Sequence, residues 1–306
     1  MNESAEQPAP NDAAKPFAFY RPASFRFTDW LARRLPAAIL STLAGVLADA
    51  VHWLFPNLRR NVRDNLRHIF PGDPQRVRAL ARQAFRNYAR QLLDYSRAAH
   101  LSDGELLAWF GGIDGQDRID AALAHGRGVI VVTAHFGNWE LGGLTFPLRG
   151  YKLNAVTLEE HLDQLTLMRE QYRARRGIHT IRIGRSPFAF IDILDALRRN
   201  EIVAMLVERP YPRAAVQVEF FGKPAMFSNG PVVLAMTTGA AILPGFVWRG
   251  DNGRYLARVL DAVPLESFED RARTIRHNTQ KIAKAFEGMI REHPDQWYNF
   301  VPIWGK

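Results

Sequence analysis

No cysteine occurs in the 306 residues. Disulfides, thiolate metal sites and a cysteine nucleophile are therefore excluded. Negative charge is in short supply as well. Lys+Arg is 40 against Asp+Glu 31, a formal charge of +9. An anionic lipid surface, an acidic protein or nucleic acid has the sign to match. Zinc-finger spacing and the aromatic motifs of RNA-binding folds are missing, which argues against nucleic acid. The leading stretch, MNESAEQPAPNDAAKP, has no basic region followed by an apolar one, so it does not read as a secretory signal. Polar, acidic and proline-containing, residues 1–24 read as a disordered tail.

Long apolar runs are also scarce. The longest, LPAAILSTLAGVLADAVHWLF at 35–55, has the length of a transmembrane helix. Asp49 and His52 interrupt it, and Ala, Gly and Ser dilute it. The expectation is a helix lying in a membrane interface or packed on the main domain. Its flanks are basic, with Arg33 and Arg34 before it and Arg59, Arg60, Arg63 and Arg67 after it. That pattern suits an anionic membrane surface. A core helix with solvated ends is the plainer alternative.

Residues 76–99 carry apolar residues at helical spacing with arginines between them, so 25–110 is expected to be a helical, membrane-associating region. The texture changes at 111. Strands are expected at 129–133, 153–158, 179–183, 202–207, 241–248 and 255–263. A strand pair at 216–221 and 225–227 turns at Gly222-Lys223. Helices are expected at 119–125, 162–176, 187–199, 231–238 and 268–292. The alternation predicts an α/β fold for 111–306: an αβα sandwich with a mostly parallel central sheet, preceded by the helical extension.

One stretch concentrates polar chemistry. In VIVVTAHFGNWE, residues 129–140, an apolar run of the kind buried on both faces leads straight into His135. Functional groups collect past the carboxyl ends of such strands. Gly137 permits a tight turn, and Asn138 is placed to cap a helix starting at Trp139. Glu140 then falls in the first turn of that helix. A histidine near an acid is what a general base requires. On spacing alone, a helix-capping loop around a satisfied histidine fits equally well. Glu208-Arg209 follows the 202–207 run and is either a local ion pair or a second part of one site. Phe136, Trp139, Leu141, Leu144 and Phe146 either line an apolar tunnel or form ordinary core. The basic run Arg173, Arg175, Arg176, Arg182 and Arg185 either meets an anionic ligand or forms a solvated face.

HFGNWE matches the H-x4-[DE] motif of bacterial lipid acyltransferases. The chain resembles the lauroyl/myristoyl acyltransferases of lipid A biosynthesis and their mycobacterial relative that acylates phosphatidylinositol mannoside. The resemblance also rests on Asn65-Leu66 with Phe70-Pro71, on Gly184-Arg185, on Phe220-Phe221-Gly222 with Gly230-Pro231 and Thr238-Gly239-Ala240, and on His293-Pro294-Asp295-Gln296-Trp297. It covers roughly 30–298. It implies an acyl chain moved from acyl carrier protein or acyl-CoA to a hydroxyl of a membrane lipid or glycolipid, at the cytoplasmic face of the bacterial inner membrane. It implies His135 as base, Glu140 and Glu208 beside it, and Asn138, Glu159, Arg173, Arg185 and Arg209 as substrate-binding positions. It implies neither cofactor nor metal. One departure stands out: the chain reads WYNFVPIW at 297–304, where lipid A enzymes usually carry a His and an Arg. That leaves room for another lipid acceptor or a secondary-metabolite alcohol. A non-catalytic binder of anionic membrane and a thioester hydrolase are the rival readings.

Overall fold

The computed structural model describes residue 34 and residues 36–158, 163–184, 188–210 and 214–304. Three helices come first: α1 (Ala37–Leu54), α2 (Pro56–Ile69) and α3 (Pro74–Ala98). Pro56 and Pro74 each open a helix, where the missing N–H costs nothing. Asp73 caps α3 by accepting the Arg76 N–H at 2.9 Å. Pro56 also ends α1, and the two helices meet at 93°. Among the described residues no single helix is long and apolar enough to cross a membrane. A short α4 (Asp103–Ala108) follows, started by a reciprocal cap between Ser102 and Glu105.

The remaining elements alternate as expected. They are β1 (Phe110–Asp114), α5 (Gln116–Leu123), β2 (Val129–Thr133), α6 (Trp139–Leu144), β3 (Leu153–Leu158), α7 (Asp163–Arg175), β4 (Ile178–Ile183), α8 (Ala189–Arg198) and β5 (Ile202–Leu206). Then come β6 (Ala215–Phe220), β7 (Lys223–Ser228), α9 (Gly230–Thr238), β8 (Ala241–Arg249), β9 (Tyr255–Val259) and α10 (Arg271–Glu292). Seven strands form one sheet in the order β1-β9-β8-β2-β5-β3-β4. Every pairing in it is parallel except β8 with β9. A turn at 250–254 joins those two, too short for the crossover that parallel strands need. β6 and β7 make a separate antiparallel hairpin.

β2 lies between β5 and β8, and its two faces feed two cores. Ile130 and Val132 pack with residues of α2, α8, α9 and α10, including Leu66, Ile193, Leu234 and Phe286. Val129 and Val131 pack on the other side with Leu106 of α4 and Leu141 of α6. α3 serves both cores, through Phe85 on one side and Tyr95 on the other. The sandwich is therefore three layers, with the N-terminal helices built into it. Each fully buried aliphatic side chain contributes about 1.5–3 kcal/mol. β1 was not expected: in its sequence FGGID two glycines separate the two strong β-formers, too little alternation to read as a strand. β2, β5, β3 and β4 are mutually parallel, so all four end at one edge of the sheet. The site is there.

Candidate active site

Two neighbouring strand ends supply the central pair. β2 and β5 run in register, Thr133 beside Leu206. Two residues further along each chain stand His135 and Glu208. The backbone N–H of His135 donates to Glu208 Oε1 at 2.5 Å, and His135 Nδ1 lies 2.9 Å from the same oxygen. Glu208 is buried, while the imidazole keeps 24% of its side-chain surface. An ionised carboxylate only accepts, so Nδ1 carries the proton and the lone pair is left on Nε2. Burial alone would push the Glu208 carboxyl up. The imidazole, its hydrogen bonds and the Arg209 charge outweigh that and hold it at about 2. Burial, and then Arg209, push the imidazole below its ordinary range, with Glu208 pulling the other way. A carboxylate beside a neutral imidazole is the state that can accept a proton.

The loop after His135 is held without slack. Phe136 N–H bonds Ala134 O at 2.7 Å, Gly137 N–H bonds Gln296 O at 2.7 Å, and Asn138 N–H bonds Val247 O at 2.9 Å. Gly137 has φ 52°, and a Cβ there would fall 1.7 Å from the Val247 carbonyl oxygen. Only glycine fits. Asn138 caps α6 as expected, its Oδ1 accepting the Leu141 N–H at 3.1 Å. Its Nδ2 faces Tyr255 Oη at 3.3 Å, and the residue is buried. The N–H groups of 135–138 are thus all engaged within the protein.

Glu140 behaves differently from Glu208. Its carboxylate takes a two-pronged contact from Arg173: Nη2 to Oε1 at 2.5 Å and Nε to Oε2 at 3.1 Å. Arg173 Nη1 adds a bond to Thr157 Oγ1 at 2.8 Å. Arg173 is buried, Glu140 keeps 15% of its side-chain surface, and the pair ties α6 to α7 and β3. Burial would raise the Glu140 carboxyl, but Arg173 holds it below its usual value. Among the described residues no hydrogen bond joins Glu140 to His135. Arg209 turns to the C-terminal segment, giving Nη2 to Tyr298 O at 2.6 Å and Nε to Asn299 Oδ1. Glu159 and Arg185 lie outside the described residues.

Two side-chain groups from the sequence separate in space. Phe136 belongs to one core, and Leu141 and Leu144 to the other, with Phe146 packed against them, so these residues do not line a common tunnel. Trp139 stays at the site, edge-on to the imidazole at 5.3 Å. The basic run disperses too. Besides Arg173, Arg176 bonds Asp103 at 2.6 Å, and Arg182 pairs with Glu170.

Sequence reasoning missed two contributors. The first is segment 296–299, which pairs with the catalytic loop like an added strand. Phe136 bridges Trp297, and Tyr298 N–H bonds His135 O at 2.7 Å. Asn299 Nδ2 donates to Glu208 Oε1 at 3.4 Å while its Oδ1 accepts from Arg209. The available signal was the departure at 297–304, where a buried-type aromatic run contains one asparagine. The second is Arg169 on α7. It is half-buried, and its charge is felt by both His135 and Glu140.

An imidazole with a buried carboxylate on Nδ1, at the carboxyl edge of a parallel sheet, has the arrangement that general-base chemistry requires. Among the described residues no serine or threonine hydroxyl hydrogen-bonds that imidazole. Sequence comparison gives the family. Residues 26–306 match the bacterial lipid A biosynthesis acyltransferase family, and the chain belongs to it. It is 32% identical over 195 residues to the phosphatidylinositol mannoside acyltransferase of Mycobacterium tuberculosis, covering 63% of this chain and 59% of that protein. The match thus spans less than two thirds of that relative's length. With the protein of the same name from Mycolicibacterium smegmatis it is 29% identical over 280 residues, 90% of this chain and 88% of that one. With the lipid A biosynthesis palmitoleoyltransferase of Escherichia coli it is 30% identical over 219 residues, 70% and 69% of the two chains.

Proposed function

We propose that the protein transfers a fatty acyl group from an acyl thioester, on acyl carrier protein or coenzyme A, to a hydroxyl of a membrane lipid or glycolipid. The observation that carries this reading is the His135–Glu208 pair: a neutral imidazole, oriented by a buried carboxylate, with Nε2 left to a substrate. The thioester is already activated, so no cofactor is needed. His135 Nε2 takes the proton of the acceptor hydroxyl as its oxygen attacks the thioester carbonyl. The carbonyl oxygen becomes an oxyanion, and Arg169 supplies the nearby positive charge. Collapse of this intermediate forms the ester and breaks the carbon–sulfur bond. The leaving sulfur takes the proton from the imidazolium and departs as a thiol. Glu208 keeps the tautomer and offsets the imidazolium charge. General-base help of this kind is worth about 10²–10⁴ in rate.

The relatives named for phosphatidylinositol mannoside and for lipid A support a membrane lipid or glycolipid as acceptor. In this reading the chain works at the cytoplasmic face of the inner membrane, lying on an anionic surface. The test compares lipid extracts by mass spectrometry from cells lacking the gene, complemented with wild type or with His135→Ala. One lipid gaining an acyl mass with wild type alone supports the transferase and identifies its acceptor. Equal profiles from the two constructs would remove His135 from the mechanism. Free fatty acid released without any acylated lipid would make the protein a hydrolase.

A further inference from the structure

The bend between α1 and α2 has chemistry that the acyl-transfer site does not use. Along the outer side of α1, Ile39, Leu43, Val46, Leu47, Trp53 and Leu54 are between 48% and 76% exposed. Their spacing puts them on one helical stripe that ends at the bend. A contiguous apolar surface of this kind marks an interaction site. Directly beneath its end, Arg59 reaches back and donates Nη1 to the carbonyls of His52 at 2.9 Å and Trp53 at 3.3 Å. One turn further along α2 is Arg63, whose buried Nε has no hydrogen-bond partner among the described residues.

The charges around Arg63 are those of Arg59, Arg78 and Arg67, all positive, and together with burial they disfavour its charged form. The carboxylates of this region are engaged elsewhere. Asp49 is held by Arg82 at 2.6 Å and by Arg86, and Asp64 by Arg67 at 2.5 Å. Among the described residues Arg59, Arg63 and Arg78 make no ion pair. His52 lies beside them, buried, with neither ring nitrogen hydrogen-bonded. Burial and the two nearest arginines keep that imidazole neutral. Cations are therefore gathered without a counter-charge, under an exposed apolar tip.

We infer that the α1–α2 bend seats the phosphate of an anionic phospholipid between Arg59, Arg63 and Arg78, with the α1 stripe lying among the acyl chains. A bilayer is the one partner that supplies both halves of the match: negative phosphates at the headgroup level and an apolar medium next to them. Helix α1 then lies in the plane of the interface, and the 93° bend turns α2 out of it. The site is independent of the acyl chemistry, since it shares no residue with the His135–Glu208 pair.

The test is co-sedimentation of the full chain with vesicles of phosphatidylcholine, with and without phosphatidylglycerol, in the absence of any acyl donor. Wild type is expected to bind the phosphatidylglycerol vesicles more tightly. Arg63→Gln/Arg78→Gln is expected to weaken that binding about 30-fold, while binding to phosphatidylcholine alone changes little. Trp53→Ser/Leu54→Ser, which alters exposed side chains only, should weaken binding to both vesicles. The control is Arg271→Gln/Arg276→Gln, the same charge loss on exposed positions of α10. An equal loss in the control would mean net charge and not a site, and would overturn the inference. So would unchanged binding of the Arg63/Arg78 variant. Inorganic phosphate is the remaining arm. If it raises the melting temperature of wild type but not of the Arg63/Arg78 variant, and vesicles do not bind, the bend takes a soluble anion and the membrane assignment falls. Lipid binding without transferase activity would sink the proposed function and leave this inference standing.

Discussion

Two carboxylates flank one loop, Glu140 in the first turn of α6 and Glu208 two residues past the end of β5, and they do opposite things. Glu208 meets a partner that can gain and lose a proton; Glu140 meets one that never loses its proton. The Glu208–His135 contact therefore has two accessible states, and chemistry can pass through it. The Glu140–Arg173 contact has one, and it holds α6 against α7 and β3. The H-x4-E spacing joins His135 to Glu140 in sequence, yet the imidazole finds its acid on another strand. A motif can record a shared loop instead of a shared proton.

Breaking each pair should separate activity from stability. His135→Ala is expected to lower kcat/KM about 10²–10⁴-fold with a smaller loss of stability than Arg173→Ala, because the residue-135 N–H and the Arg209 charge remain on Glu208, read by steady-state assay and calorimetry. Arg173→Ala should do the reverse first. It strands a buried carboxylate and costs about 3–5 kcal/mol of unfolding free energy, measured by denaturant titration. Rescue of that loss by adding Glu140→Gln would show that the stranded charge is the cause. Glu208→Gln is expected to cut kcat about 10²-fold. It also removes the charge that raises the imidazole pKa, so the acid limb of the pH–rate profile should move to lower pH. An acid limb that moves upward would refute the orientation drawn for the pair.

The same substitution tests stability in acid. The folded-state carboxyl of Glu208 titrates at about 2, below its ordinary value of 4.5. A depressed carboxyl contributes stability that is complete above the unfolded value and fades as pH falls from about 4.5 to about 2. Glu208→Gln should flatten that part of the stability curve. Asn299→Ala is the smallest change expected. It removes one weak bond to Glu208 and one to Arg209, and should lower kcat about 5–10-fold with KM little altered. Asn299→Asp should be worse than alanine, because it sets a second carboxylate beside Glu208.

The centre of the sheet was legible because β2 and β5 are buried on both faces and so read as continuous apolar runs. The order of β2, β5, β3 and β4 was not, since a run of valines and isoleucines carries no information about its neighbour. β1 failed for the opposite reason: Gly111 and Gly112 erase the alternation that marks an exposed edge. His135 and Glu208 were legible as residues placed just past apolar runs. Their mutual contact depended on β2 and β5 being adjacent, which is a tertiary fact. Arg173 was visible as one arginine in a basic run, but its burial was not, because periodicity on α7 is weak around it. Asn299 was the least visible. Its role comes from a backbone bridge between Phe136 and Trp297, and long-range pairing of two irregular segments leaves no local pattern.

That bridge also sets a timetable. The segment that clasps the His135 loop is translated after every strand of the sheet, since Gln296 to Asn299 follow β9 and α10. A partly synthesised chain can assemble β2 and β5 and bring His135 to Glu208. It lacks the strand that braces His135 O, Gly137 N–H and Arg209 until the ribosome has passed residue 299. The support of the His135 loop is thus made only after both residues of the His135–Glu208 pair.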